Sequence, residues 1–258
     1  MTHKLNGKFI VIEGLDGIGK GVAATTIIDY LKQKSLRVLD LREFWLKHHT
    51  HPDFTNSEFN GTPNPYYFSL DNFDVMMSAE PTYVGIGLAV REEIIAKNFR
   101  DYSAKMTAEC YSNDRLILHK RVLLPALKAG KIIVQERNVA SSIVYQPLQS
   151  TKDPITVKEV IELEGNAFTL ENAPDLLIIT TIADVSKVIE RLQKREKEDN
   201  AVFEKLEFQL KIKPIYEGKQ LRDIFEAQGT IVKYIDTGTS IAETKRQVIE
   251  IFKSFYTQ

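Results

Sequence analysis

FIVIEGLDGIGKGVAATTIIDYLKQK, residues 9–34, is the stretch on which the fold turns. An apolar run, FIVIE (9–13), leads into a glycine-rich loop, GLDGIGKG (14–21), and then into the helix-like VAATTIIDYLKQK (22–34). Residues Gly14 to Lys20 satisfy G-x-x-x-x-G-K. Glycines let backbone N–H groups converge on phosphate oxygens. The helix that follows adds unpaired N–H groups and the positive end of its dipole. Lys20 supplies a mobile charge for the outer phosphates. The expected phosphate contacts are Gly14, Leu15, Asp16, Gly17, Ile18, Gly19, Lys20, Gly21 and Val22. Gly21 departs from the pattern, because a Ser or Thr hydroxyl usually follows the lysine and ligates Mg²⁺. Thr25, the next hydroxyl, lies about 6 Å further along a helix, too far for a metal bond of about 2.1 Å. Asp16, inside the loop, is the candidate to hold the ion directly or through water. The loop alone does not separate kinases from GTPases or transport ATPases.

The 258 residues contain 34 basic and 35 acidic side chains. That balance gives no global drive toward nucleic acid or an anionic membrane. A single cysteine, Cys110, excludes an internal disulfide and a cysteine-built zinc site, and suits a reducing compartment. The N-terminal MTHKLNGK lacks the apolar core of a signal peptide, and no apolar run approaches the roughly 20 residues of a membrane span. A soluble cytoplasmic protein is expected.

Five more apolar runs read as strands: RVLDL (37–41), DVMMS (74–78), KIIVQE (131–136), DLLIITTI (175–182) and TIVKYID (230–236). Helical periodicity covers 22–34, 86–98, 105–129, 155–165, 184–198, 202–227 and 240–255. Continuous apolar strands alternating with helices predict an α/β fold with a parallel sheet covered on both faces. Ligands then gather at the carboxyl ends of the strands. Residues 44–73, rich in aromatics and prolines, break the rhythm and read as an ordered insertion. HHTH (48–51) within it reads as an exposed loop, with metal binding as the alternative.

Three further stretches carry a resemblance: SAEPTYVGIGLAVREEI (78–94), CYSNDRLILHKRVLLPALKAGKIIVQERNVASSIVYQ (110–146) and PDLLIITTIADVSKVIERLQKREKED (174–199). With FIVIEGLDGIGK they resemble thymidylate kinases, in the same order, over roughly residues 8–255. The resemblance implies a P-loop kinase fold: a parallel five-stranded sheet flanked by helices, in one domain spanning 1–258. The insertion follows the second strand, and a mobile lid falls near 191–204. It implies ATP and Mg²⁺ as cofactors, a nucleotide substrate, no nucleic-acid or membrane partner, and a homodimer. The implied activity is ATP-dependent phosphorylation of dTMP to dTDP by in-line transfer.

Residue by residue, Glu80-Pro81 resembles the Arg-Glu-Pro that borders the monophosphate site. Tyr111 stands where the family stacks a ring on thymine, and Arg115 where it reads the base edge. Glu136-Arg137-Asn138 resembles Asp-Arg-Tyr, whose acid lies near the metal and whose arginine grips the acceptor phosphate. Ser141, Ser142, Tyr145 and Gln146 match the thymidine-contacting part. Arg191 and Arg195 fall in the lid and, with Lys20, Asp16 and Arg137, make up the catalytic set. The metal candidates are Asp16 and Glu136. Each assignment has a plainer competitor: Tyr111 as a core aromatic, Arg115 as an ion-pair partner of Asp114, the lid arginines as a solvated helix face.

Three positions depart from the family pattern: Gly21, Ala79 in place of the arginine before Glu-Pro, and Asn138 in place of the tyrosine. Arg91, twelve residues beyond Ala79, reads as a poor replacement; Arg42 and Lys47 are the other candidates. Two alternatives therefore stay open. One is a kinase for deoxynucleosides or other nucleoside monophosphates. The other is a catalytically impaired nucleotide-binding homologue.

Overall fold

The computed structural model describes residues 5–96, 98–150, 153–193 and 205–257. The phosphate-loop stretch forms strand β1 (Lys8–Gly14) and helix α1 (Lys20–Gln33). Then come β2 (Val38–Asp40), α2 (Leu41–His48), a short hairpin of β3 (Glu58–Phe59) and β4 (Thr62–Pro63), and β5 (Val75–Ala79). Helices α3 (Gly85–Ala89), α4 (Ala104–Leu118) and α5 (Leu124–Lys128) precede β6 (Ile132–Glu136). Helices α6 (Val139–Gln149), α7 (Val157–Glu162) and α8 (Glu164–Glu171) lead to β7 (Leu176–Thr181). The chain continues through α9 (Ser186–Gln193), α10 (Leu206–Tyr216), α11 (Lys219–Glu226), β8 (Ile231–Asp236) and α12 (Ile241–Tyr256).

The main sheet has six strands in the order β2-β5-β6-β1-β7-β8, and every pairing is parallel. This corrects the expected five. Val38–Asp40 pairs with Val75–Met77 and adds an edge strand beside β5. Alternate residues of one strand feed opposite faces. Phe9 and Val11 join the core under α4 and α6, whereas Ile10 and Ile12 pack with Ala23, Ile27 and Phe252 from α1 and α12. Two covered faces explain why FIVIE carries no polar alternation.

The long helical reading over 105–129 is α4 and α5 joined through a π-helical turn at His119–Leu123. Pro125 lacks an N–H, and the wider turn absorbs the missing bond. The reading over 202–227 splits at Gly218, the N-cap of α11. The insertion is more regular than expected at its start. LREFWLKH folds as α2, capped by Asp40, whose Oδ1 accepts from the Arg42 backbone N–H at 2.9 Å. Leu41 and Trp45 are fully buried beneath it.

Candidate active site

The carboxyl ends of β1, β5 and β6 converge on one cavity of about 470 Å³. The phosphate loop forms one wall. Gly19 adopts φ 111° as the N-cap of α1, and no side chain satisfies the N–H groups there. These orphan donors suit an anion. Gly17 sits so close to α9 that a Cβ would stand 2.7 Å from Leu192 Cγ. Lys20 is buried, and its Nζ donates to the carbonyls of Gly14 at 3.0 Å and Leu15 at 2.6 Å. Burial, and then the neighbouring Arg137, lower its pKa to about 7. Leu15 and Ile18 turn their side chains into the core and leave only backbone toward the loop. Gly14 and Val22 lie outside the cavity lining.

Opposite the loop, Arg137 follows β6 with φ 66°. A left-handed, non-glycine residue costs about 1–3 kcal/mol unless its surroundings hold it. Here its N–H donates to Ile12 O at 3.0 Å, and its carbonyl accepts from Gln135 Nε2 at 2.9 Å. The guanidinium donates to Ser141 Oγ at 2.9 Å and to Asp16 Oδ1. Asp16 also accepts from Tyr145 OH at 3.0 Å and Gln209 Nε2 at 3.2 Å. Burial alone would raise the Asp16 pKa, but Arg137 and Lys20 pull it below its ordinary value. Its carboxylate is thus part of the Arg137 network.

Glu136 is placed differently. Both its carboxylate oxygens lie 3.7 Å from where a Cβ on Gly21 would stand. The acid thus faces the position of the missing hydroxyl. Its Oε1 accepts from Arg42 Nη1 at 3.1 Å. Thr25 is exposed on the outer face of α1, in keeping with its expected remoteness.

The far end of the cavity is built on Glu80 and Arg115, a buried pair at 2.7 Å. Asp114 instead accepts from Thr82 Oγ1 at 2.6 Å, so Arg115 is not its ion-pair partner. Arg115 also donates to Asn166 Oδ1, and to Ser142 Oγ at 3.2 Å. Burial pushes the Glu80 carboxyl up to about 7, against the pull of Arg115. Tyr111 lines the cavity one turn before Arg115, and Pro81 follows Glu80 through a cis bond. Gln146 Oε1 and Asn138 Nδ2 are buried and have no partner among the described residues. A polar ligand in the cavity would satisfy Gln146 in particular.

The structure brings most of the expected residues together: Asp16, Gly17, Gly19, Lys20, Gly21, Glu80, Pro81, Tyr111, Arg115, Glu136, Arg137, Ser141, Ser142, Tyr145 and Gln146 all line the cavity. Arg191 does not. It donates to Ile18 O at 3.3 Å and Thr237 O at 2.9 Å, on the other side of the phosphate loop. Arg195 and nearly all of the expected lid lie outside the described residues.

The sequence reading missed Glu13. This fully buried carboxylate accepts from the N–H groups of Asn138 (2.7 Å) and Ser141 (3.0 Å), from Ser141 Oγ (2.9 Å) and from Tyr216 OH (3.0 Å). It clamps the loop after β6 to β1. Arg91 reaches the cavity after all, with Nε donating to Pro81 O at 2.9 Å and its guanidinium 4.0 Å from the Tyr83 ring centroid.

A family model described as thymidylate kinase matches residues 67–250. The chain belongs to the thymidylate kinase family. That match begins after the phosphate loop and most of the insertion, but similarity to individual thymidylate kinases extends over both. The enzyme of Caldicellulosiruptor saccharolyticus is 27% identical over 234 residues, covering 88% of this chain and 91% of that protein. The probable thymidylate kinase of Pyrococcus abyssi is 23% identical over 253 residues, covering 96% and 97%. The solved thymidylate kinase of Candida albicans has a TM-score of 0.60 over 96% of this chain and 92% of its own, and at 19% identity it supports the fold alone. Among the described residues, no helix of this thymidylate kinase family member is long and apolar enough to cross a membrane.

Proposed function

We propose that this protein transfers the γ-phosphate of ATP to the 5′-phosphate of dTMP, giving dTDP. The observation that carries the reading is the shared cavity. The phosphate loop and the Glu80, Arg115, Arg137 and Gln146 groups face one space of about 470 Å³. That arrangement suits a donor and an acceptor held end to end for in-line transfer.

Lys20 leaves the Gly14 and Leu15 carbonyls for the donor phosphates. Arg137 grips the acceptor phosphate, with Ser141 and Asp16 fixing its plane. Tyr111 covers the base, while Arg115 and Gln146 meet its polar edge. Arg115 is pre-oriented by Glu80, Asn166 and Ser142, so little freedom is lost on binding. Magnesium fits beside Glu136, the acid that faces Gly21, and would neutralise charge on the donor phosphates. Arg191 would leave the Ile18 and Thr237 carbonyls and, with Arg195, take the lid role, adding charge over the reacting phosphates and excluding water. A cytoplasmic homodimer completes the reading, and sedimentation at micromolar concentration checks the dimer.

An acceptor panel tests the function. With ATP and Mg²⁺, dTMP is expected to be phosphorylated at a kcat/KM well above that for thymidine, dCMP or AMP. Preference for thymidine would transfer the activity to nucleosides. Nucleotide binding without turnover on any acceptor would reduce the protein to a sensor.

A further inference from the structure

We propose that Arg42, carried in by the extra edge strand and its helix, supplies the acceptor-phosphate cation that Ala79 lacks. The assignment rests on the dTMP reading above. In the family pattern an arginine precedes Glu-Pro at the end of the strand that is β5 here, and Ala79 fills that place. The sixth strand lies directly beside it. Asp40 pairs with Met77, so Arg42 and Ala79 each stand two residues beyond the same rung. Ala79 in turn pairs with Glu136, one residue before Arg137. Arg42 and Ala79 line the same cavity.

The side chain is held there. Asp40 grips it with a fork, accepting from Nε at 3.0 Å and from Nη2 at 2.7 Å. Nη1 reaches Glu136 Oε1 at 3.1 Å. Three of the five guanidinium N–H groups are thereby used among the described residues, and two remain for an anion. The helix that carries Arg42 is itself anchored. Trp45 is fully buried, donates to His51 Nδ1 at 3.1 Å, and packs against Tyr83 of the Glu-Pro loop with ring centroids 6.0 Å apart. Two other cations compete for the role. Arg91 is turned onto the Glu-Pro loop, donating from Nε and Nη2 to the Pro81 carbonyl and from Nε to that of Thr82, and it stacks on Tyr83. Lys47 is exposed and does not line the cavity.

The lost arginine is therefore replaced from the first turn of α2, directly after the neighbouring strand. The test is calorimetric titration of the wild type, Arg42→Gln and Arg42→Lys with dTMP, thymidine and ATP. Arg42→Gln is expected to weaken dTMP roughly tenfold to a hundredfold, the worth of one charge-assisted contact. Thymidine, which has no phosphate, and ATP should keep their affinities, and Arg42→Lys should recover part of the loss. Equal loss for dTMP and thymidine would make Arg42 a structural residue and overturn the assignment. Unchanged dTMP binding would overturn it too. A wild type that binds ATP but no dTMP would remove the acceptor reading, and this assignment with it.

Discussion

Lys20 and Gly21 set the chemistry of the phosphate loop in opposite ways. Lys20 is parked on two carbonyls with its pKa lowered to about 7, chiefly by burial. A bound polyphosphate reverses that shift, because opposite charge favours the ammonium form. At pH 8 the free protein holds Lys20 mostly neutral, so ATP binding is expected to take up about one proton. Titrations in buffers of different ionisation enthalpy measure that uptake, and Lys20→Ala should abolish it. Gly21 has room for a side chain, since a Cβ there meets only the Glu136 carboxylate at ordinary contact distance. Gly21→Ser should fold normally and lower the Mg²⁺ concentration needed for half-maximal rate. A Mg²⁺ requirement left unchanged would place the metal elsewhere. At this scale the sequence displayed the residues with local motifs. It could not display Glu13, Gln209 or Tyr216, whose partners are up to 203 residues away. Nor could it show that Arg91 folds back on the Glu-Pro loop.

Among the elements, the strands were legible because parallel strands buried on both faces are written as unbroken apolar runs. The six runs and the six strands agree to within one or two residues. The number of strands expected in one sheet was nonetheless too low: the resemblance implied five, and all six runs, Val38–Asp40 at the edge included, join the sheet. Helix α2 was hidden for a different reason: eight residues with two buried side chains give too short a period to recognise. Its anchor is testable. Trp45→Ala removes a fully buried ring and its hydrogen bond to His51, and should cost about 3–5 kcal/mol in urea unfolding. Because Trp45 braces Tyr83 and the helix bearing Arg42, the same change should weaken dTMP more than ATP. Equal weakening would mean that α2 supports the whole molecule rather than the acceptor wall. His51, expected in an exposed histidine loop, is instead a core residue of this helix's packing.

Over the whole molecule, positive charge is unevenly placed. The chain carries a formal charge of −1, yet the cavity lining has five basic residues against three carboxylates. The anion-binding potential is local and invisible to composition. Two buried histidines contribute to the pH dependence of stability. Burial, aided by Arg121, lowers His51 to about 4; burial, aided by Arg115, lowers His119 to about 3. Both are neutral when folded and titrate near 6.5 when unfolded. Their contribution is present above pH 6.5 and is lost as the pH falls toward 4 and then 3, because the unfolded chain binds the extra protons. Each adds a slope of about 1.4 kcal/mol per pH unit in that window. His119 lies between Phe9 and Phe168 with neither nitrogen partnered among the described residues, so His119→Leu should keep the fold and flatten the dependence by that amount. Denaturant unfolding at several values between pH 4 and 6.5 checks it.

The central claim is that one cavity holds a working donor loop and a dTMP site. The most direct measurement is the initial rate of dTDP formation from dTMP, ATP and Mg²⁺ by the wild type and by Lys20→Ala. The expected result is steady turnover by the wild type and a kcat lower by roughly a hundredfold to a thousandfold in the variant, the usual cost of losing one donor to the transferring group. No dTDP from a folded, ATP-binding wild type, or equal rates from the two proteins, would contradict it.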